Sequence, residues 1–214
     1  MKRGWLTNLA LIWLGLALSG SVHAQTQNSN TPVILVVGDS LSAGYGIAVD
    51  STWVALLGRR LATEGYGHRV VNASVSGETT GGARVRLARA LEVHKPTIVI
   101  IELGGNDALR GLPLRQIREN LADMIERAEA SNAEVMLLGM RIPPNYGAQY
   151  ADGFHALYSA LAKQYDVALV DFFLEGVALD ETLMQEDGIH PSSKAQRRLL
   201  DNVWPVLKTI LKKR

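Results

Sequence analysis

The sequence predicts a three-layer α/β/α domain built on a five-stranded parallel sheet, and two features carry that prediction. Apolar, mostly β-branched runs recur along the chain: Val33-Ile34-Leu35-Val36-Val37, Thr97-Ile98-Val99-Ile100-Ile101 and Glu134-Val135-Met136-Leu137-Leu138. These runs lack the alternation of a half-solvated strand and suit strands buried on both faces. Between them lie segments with apolar residues at helical spacing, so strand and helix alternate five times. No internal repeat and no Pro/Gly/Ser-rich linker divides the chain.

The amino end has a different character. Lys2 and Arg3 precede an apolar run from Leu9 to Leu18, followed by Ser19-Gly20-Ser21-Val22-His23-Ala24. A basic start, a short apolar core and a small-x-small exit predict a secretory signal peptide over residues 1–24. The run is too short to span a bilayer core of ~30 Å, which argues against the alternative of a retained anchor. Residues 25–31 then form a polar, flexible leader, and residues 32–214 form the domain. The chain has no cysteine, so neither disulfides nor a thiolate metal site is available to it. Loss of the signal removes two cations and no acid, leaving 20 basic against 21 acidic residues. That balance speaks against a nucleic-acid or membrane-surface binder, which needs a basic excess. The basic tail Lys208–Arg214 is explained by cations favouring a helix carboxyl end.

Taken in order, the first strand runs into Gly38-Asp39-Ser40-Leu41-Ser42 and a Gly-rich loop, Ala43-Gly44-Tyr45-Gly46. Ser51 or Thr52 caps a helix with Trp53, Leu56, Leu57 and Leu61 on one face, ended by Gly65. Arg69–Asn72 is a short strand, and the polar loop Ala73–Thr80 leads to a helix from about Ala83 to Val93. The strand 97–103 opens directly into Gly104-Gly105-Asn106-Asp107. A long helix is expected from Leu114 to Ala130, then a strand over 134–139. Pro143-Pro144-Asn145-Tyr146-Gly147 is a rigid loop. A helix carrying Phe154, Leu157, Tyr158, Leu161 and Tyr165 follows, then a strand over 167–170. After Asp187-Gly188-Ile189-His190-Pro191, a last helix runs from about Ser192 to Lys212, interrupted near Pro205.

In a parallel sheet, loops that follow strands emerge on one edge, where such folds bind ligands. Ser40, Gly77 and Asn106 each sit in such a loop. Taken singly, each has a plainer reading: a serine after a strand is commonly a turn or helix cap. Asp187 can form an Asx turn, with His190 merely preceding Pro191 at a helix start. Asp-x-x-His also resembles half a metal site, but no second cluster completes it. Together the residues allow acyl-transfer chemistry, which needs a hydroxyl nucleophile, an imidazole base and a carboxylate to orient it. Asp187, three positions before His190, can hold Nδ1–H and leave Nε2 for Ser40. The N–H groups of Ser40 and Gly77 and the Asn106 amide can serve as oxyanion donors. His68, His94 and His155 sit beside helices or strand starts and read as surface residues. Asp39 and Asp107 are expected to hydrogen-bond backbone within their own loops.

These four segments resemble the motif blocks of the GDSL, or SGNH, hydrolases. Ser40 in Gly-Asp-Ser-Leu-Ser matches the first block, Gly77 the second, Asn106 in Gly-Gly-Asn-Asp the third, and Asp187-Gly-Ile-His190-Pro the last. They occur in the family's order over nearly the whole mature chain. Asn72–Thr80, Ile101–Asp107 and Ile142–Gly147 extend the likeness to a branch of periplasmic thioesterases, lysophospholipases and arylesterases. The Gly-x-Ser-x-Gly elbow of α/β-hydrolases is absent, since Ser42 stands where its second glycine would be. The resemblance implies a flavodoxin-like fold and a serine nucleophile at Ser40. It makes His190 general base and acid, Asp187 its orienter, and Gly77 and Asn106 oxyanion donors beside the Ser40 N–H. It also implies no cofactor and no metal. The expected substrate is a small-molecule acyl ester or thioester, handled by a monomer in the periplasm or secreted from the cell. The loops 108–113 and 142–146 are candidate walls for an acyl chain. A carbohydrate O-acetylesterase on the same fold, or a non-catalytic lipid carrier, are the competing readings.

Overall fold

A computed structural model of the chain describes Met1 and residues 31–212. The expected signal segment 1–24, Met1 apart, and all but the last residue of the leader 25–31 therefore lie outside the described residues.

The five strands form where the apolar runs predict them. They are β1 (Val33–Gly38), β2 (Arg69–Asn72), β3 (Ile98–Glu102), β4 (Glu134–Leu138) and β5 (Ala168–Val170). Their order across the sheet is β2-β1-β3-β4-β5, with every pair parallel. β1 and β3 are buried along their whole length, as continuous Val/Ile/Leu runs require. Their register sets Ile34 beside Ile98 and Val37 beside Ile101, and at the rim it sets Gly38 beside Glu102.

Seven helices complete the described chain: α1 (Ser40–Ala43), α2 (Trp53–Thr63), α3 (Thr80–His94), α4 (Gly105–Leu109), α5 (Leu114–Ala130), α6 (Ala148–Tyr165) and α7 (Gln196–Ile210). α2 and α7 pack together over one face, and α3, α5 and α6 cover the other. The inward stripes are those read from helical spacing. α2 buries Trp53, Leu57 and Leu61, while α5 buries Ile117, Leu121, Met124, Ile125 and Ala128. The result is the expected three-layer α/β/α domain.

Differences fall at the ends of elements. α3 begins at Thr80 rather than Ala83, because the Thr79 side chain accepts the Gly82 N–H and starts the helix despite two poor helix formers, Gly81 and Gly82. Gly105–Leu109, expected as loop, closes one turn and a half of helix. The last helix proper starts at Gln196, after a 3₁₀ turn over Ser193–Ala195, and carries Pro205 inside it.

One buried contact links the core to the rim above β3. Tyr158 of α6, 1% exposed, donates its hydroxyl to the Leu103 carbonyl at 2.7 Å. A Cβ on Gly104 would stand 2.5 Å from that hydroxyl, and Gly104 has φ +113°, so only glycine fits there. Tyr158→Phe leaves a buried carbonyl without its donor, and urea denaturation should show a loss of about 1–3 kcal/mol.

Candidate active site

β1 delivers its chain to the rim at Gly38, where Asp39 turns it into α1. The Asp39 carboxylate accepts the Leu41 N–H at 3.0 Å, a side-chain cap that forces the turn immediately around Ser40. Ser40 is half-buried at the first position of this short helix. The chain reaches the same place again 150 residues later, where His190 Nε2 lies 2.9 Å from Ser40 Oγ. On its other side, Nδ1 lies 2.6 Å from Asp187 Oδ2. An ionised carboxylate can only accept, so Nδ1 carries the proton and Nε2 is left to accept from the serine hydroxyl.

The loop bearing Asp187 and His190 is held by backbone and by two side chains outside the motif. Gln185 N–H donates to the His190 carbonyl at 2.7 Å, and Ser192 N–H to the Leu183 carbonyl at 2.7 Å. The Gln185 amide donates to the carbonyls of Tyr45 (2.8 Å) and Pro191 (3.1 Å), tying this loop to the one after Ser40. The Tyr45 ring lies against the His190 imidazole with centroids 4.5 Å apart. Gly46 takes φ +74°, a left-handed backbone that favours glycine, and a Cβ there would displace the Gln185 amide. Asp187 also accepts the backbone N–H groups of Ile189 and His190, both at 2.9 Å. Those N–H groups and the imidazole hold its pKa down at about 2, with the His190 backbone donor the largest cause. It stays charged wherever the imidazole is asked to work.

The two remaining predicted residues reach the same rim. Asn106 lies in α4, and its Nδ2 donates to Asp39 Oδ2 at 3.0 Å, which leaves a second N–H on the same nitrogen. Gly77, exposed and at φ +77°, sits in a loop that continues β2 alongside the end of β1. There the Ala73 N–H meets the Val36 carbonyl and the Val75 N–H the Gly38 carbonyl. Arg110, just after α4, donates to the Gly77 carbonyl at 3.2 Å. Among the described residues, no acceptor pairs with the backbone N–H of Ser40 or Gly77. An arrangement of hydroxyl, imidazole and carboxylate, bordered by unpaired donors, can activate a nucleophile and hold an oxyanion.

Both loop aspartates do more than expected from sequence. Asp39 makes its local cap but also orients the Asn106 amide across the rim. Asp107 does not serve its own loop at all, because its carboxylate accepts the N–H (2.9 Å) and hydroxyl (2.5 Å) of Thr80. Asn120 of α5 donates to the same Thr80 hydroxyl at 3.0 Å, so α3, α4 and α5 meet in one buried polar knot. Glu102, at the end of β3, is fully buried beneath Asp39. Burial pushes the Asp39 pKa up to about 6. Burial and the Asp39 charge push Glu102 well above the carboxylate range. His155 stands apart from this group, its ring meeting Arg141 and the Met140 carbonyl. Tyr45 and Gln185 carried a faint signal, an aromatic between two glycines and an amide two residues before Asp187. Glu102 carried a clearer one, a charge closing an apolar strand.

Comparison with known proteins shows the family. The model of the GDSL-like Lipase/Acylhydrolase family matches residues 36–198. Esterase TesA of Pseudomonas aeruginosa is 53% identical over 198 residues, covering 92% of this chain and 98% of that protein. Thioesterase 1/protease 1/lysophospholipase L1 of Escherichia coli strain K12 is 44% identical over 168 residues, covering 78% of this chain and 79% of that one. Among solved structures, the psychrotrophic esterase EstA from Pseudoalteromonas sp., inhibited by monoethylphosphonate, is 40% identical. It matches with a TM-score of 0.80, covering 83% of this chain and 97% of that one.

The Asp39 environment has a measurable consequence. Its folded-state pKa of about 6 exceeds the ordinary 3.8, so the folded chain holds this proton more tightly. The stability it contributes is fullest at low pH and declines as pH rises through that window. Asp39→Asn is uncharged throughout, so its Tm should gain on wild type between pH 4 and pH 6.5. Its kcat should fall on the order of 10²-fold, since the Asn106 donor loses its anionic anchor. Thermal melts across pH and steady-state assays check both, and a Tm difference flat in pH would contradict the assignment.

Proposed function

The chain belongs to the GDSL-like Lipase/Acylhydrolase family and is an ester hydrolase, and on that premise we propose how its residues divide the work. Ser40 is the nucleophile, His190 the general base and then acid, and Asp187 the group that orients and charge-balances the imidazole. The observation that carries this reading is the 2.9 Å contact between His190 Nε2 and Ser40 Oγ, made by residues from opposite ends of the domain.

As Ser40 Oγ attacks the acyl carbonyl, Nε2 takes its proton, and the Asp187 carboxylate stabilises the imidazolium that results. Negative charge gathers on the former carbonyl oxygen. The Ser40 N–H, the Gly77 N–H and the free Asn106 N–H receive it. Collapse expels the alcohol or thiol, which takes the proton back from Nε2. Water then attacks the acyl-serine with His190 again as base, the acyl–Oγ bond breaks, Ser40 Oγ takes the proton back from Nε2, and the carboxylic acid leaves. The cycle closes on this chain's own groups, with no cofactor in it.

The substrates are medium or long acyl esters and thioesters, lysophospholipids and aryl esters among them. This range draws on the names of the relatives and on the apolar side chains around the rim: Tyr45, Val75, Leu109, Tyr146 and Ile189 are all substantially exposed. The loops 108–113 and 142–146 supply walls for the acyl chain. The basic start and apolar run that open the sequence support export and work in the periplasm. Among the described residues, no helix is long and apolar enough to cross a membrane.

Labelling with a fluorophosphonate, followed by mass mapping, should modify the peptide containing Ser40 in wild type and nothing in Ser40→Ala. His190→Ala should lose at least about 10³-fold in kcat, with the residual rate coming from oxyanion donors and binding. A p-nitrophenyl ester series should retain activity at C8 and beyond. Turnover confined to acetyl would point to a carbohydrate O-acetylesterase, and no product with no label to a lipid carrier.

A further inference from the structure

Glu102 takes no part in the steps above, yet it occupies a costly position. It closes the otherwise apolar strand β3, is 0% exposed, and pairs in register with Gly38. A carboxyl taken out of water is unfavourable unless its hydrogen bonds are satisfied, and any aliphatic residue would fill the volume more cheaply. Its contacts show what it does there. Oε2 accepts the Asp39 N–H at 3.3 Å and the Ser42 hydroxyl at 2.7 Å. These two groups bracket Ser40 in the sequence. The Ser42 oxygen is fixed in turn by the Trp53 indole N–H at 3.3 Å, and the Ser42 carbonyl by the Asn72 amide at 2.8 Å. Space around the grip is closed, because a Cβ on Gly38 would lie 2.7 Å from Glu102 Oε2 and 2.9 Å from Ser42 Oγ. That explains why glycine precedes the aspartate.

We propose that Glu102 is a positioning residue for the reaction: from the end of β3 its side chain grips the nucleophile turn on both sides of Ser40 and sets where that hydroxyl stands relative to His190. The proposal rests on the reading of Ser40 as nucleophile. What matters is reach, since the gripping oxygen must arrive at both partners at once. Charge does not matter. Glu102 Oε1 is buried with no partner among the described residues, an arrangement far costlier for an anion than for a neutral acid. Asp39, by contrast, receives N–H donors on both carboxylate oxygens, from Leu41 and Asn106, and is the member of the pair that holds the negative charge. Raised proton affinity from burial and from Asp39 agrees with a neutral Glu102. A neutral amide of the same length can therefore replace it, whereas an acid one methylene shorter cannot.

Full-length Glu102→Gln and Glu102→Asp separate these requirements. The readouts are the rate of fluorophosphonate labelling at Ser40, and kcat and KM on a p-nitrophenyl ester. Glu102→Gln should label as fast as wild type. Glu102→Asp pulls the grip back by more than 1 Å and should label on the order of 10²-fold more slowly, with the loss in kcat and KM nearly unchanged. A wild-type rate in Glu102→Asp overturns the proposal, as does a Gln variant as slow as the Asp one, or a loss confined to KM. If Glu102→Asp does not fold, Ser42→Ala removes one gripped group with little change of volume. Slower labelling with unchanged KM then supports the grip, and wild-type labelling overturns it. Failure of wild type itself to label at Ser40 refutes the nucleophile assignment, and this proposal with it. Slow Asp labelling beside fast wild type isolates the grip.

Discussion

Parallel strands point all their carboxyl ends to one edge, and everything polar in this domain is organised by that constraint. The sheet interior is apolar on both faces, so side chains that must meet water or substrate have to stand where strands stop. The order β2-β1-β3-β4-β5 adds a second consequence. Chain leaves β1 towards β2 on one side and β3 towards β4 on the other, and the loops diverge to leave a crevice between them. Ser40 comes from the β1 loop, Gly77 from the β2 loop and Asn106 from the β3 loop. The imidazole needs no strand of its own here, since the segment between β5 and α7 runs back along the same edge.

Within that crevice, environment separates carboxylates that sequence alone leaves equivalent. Asp187 is exposed and accepts three hydrogen bonds from N–H donors, two of them backbone, so its charge is strongly favoured. Asp39 has comparable donors but is 3% exposed, and desolvation outweighs them. Glu102 has one long N–H contact and a hydroxyl, which cannot offset full burial beside another acid. Orienting a base in water and anchoring an amide in the core are thus performed by the same functional group at opposite ends of its titration range.

What could be read from the sequence follows the same division. β1, β3 and β4 were legible because burial on both faces leaves continuous apolar runs, and α2, α5 and α6 because their buried stripes repeat at helical spacing. Ser40, Gly77, Asn106, Asp187 and His190 each have a plainer reading singly; their order along the chain, like a family's motif blocks, is what singled them out as candidates. The supporting groups were harder to see. Thr79 capping moved the start of α3, because a side-chain bond to Gly82 overrode the low propensity of two glycines. Asp107 was expected to serve its own loop, yet its partner, Thr80, is 27 residues away. No local pattern reports a pairing of that range. Tyr45 and Gln185 gave only a faint signal for the same reason, as they act only once residues 140 apart are brought together.

The two halves of the site are also held by different means. On the side of Ser40 and Asn106, the support is buried: β1 and β3, the Asp39–Glu102 pair, and the knot of Thr80, Asp107 and Asn120. On the side of His190, the support is a segment without a long element, from 183 to 192. A few backbone hydrogen bonds hold it, with one amide and one ring contact. Opening the first side means stripping a packed core, whereas opening the second breaks solvent-accessible hydrogen bonds and frees little apolar surface. In the roles proposed above, Ser40 and Asn106 are therefore the fixed frame. In the mechanism proposed above, the imidazole, which has to release a proton to the leaving group and then take one from water, is carried by a segment held by few buried contacts.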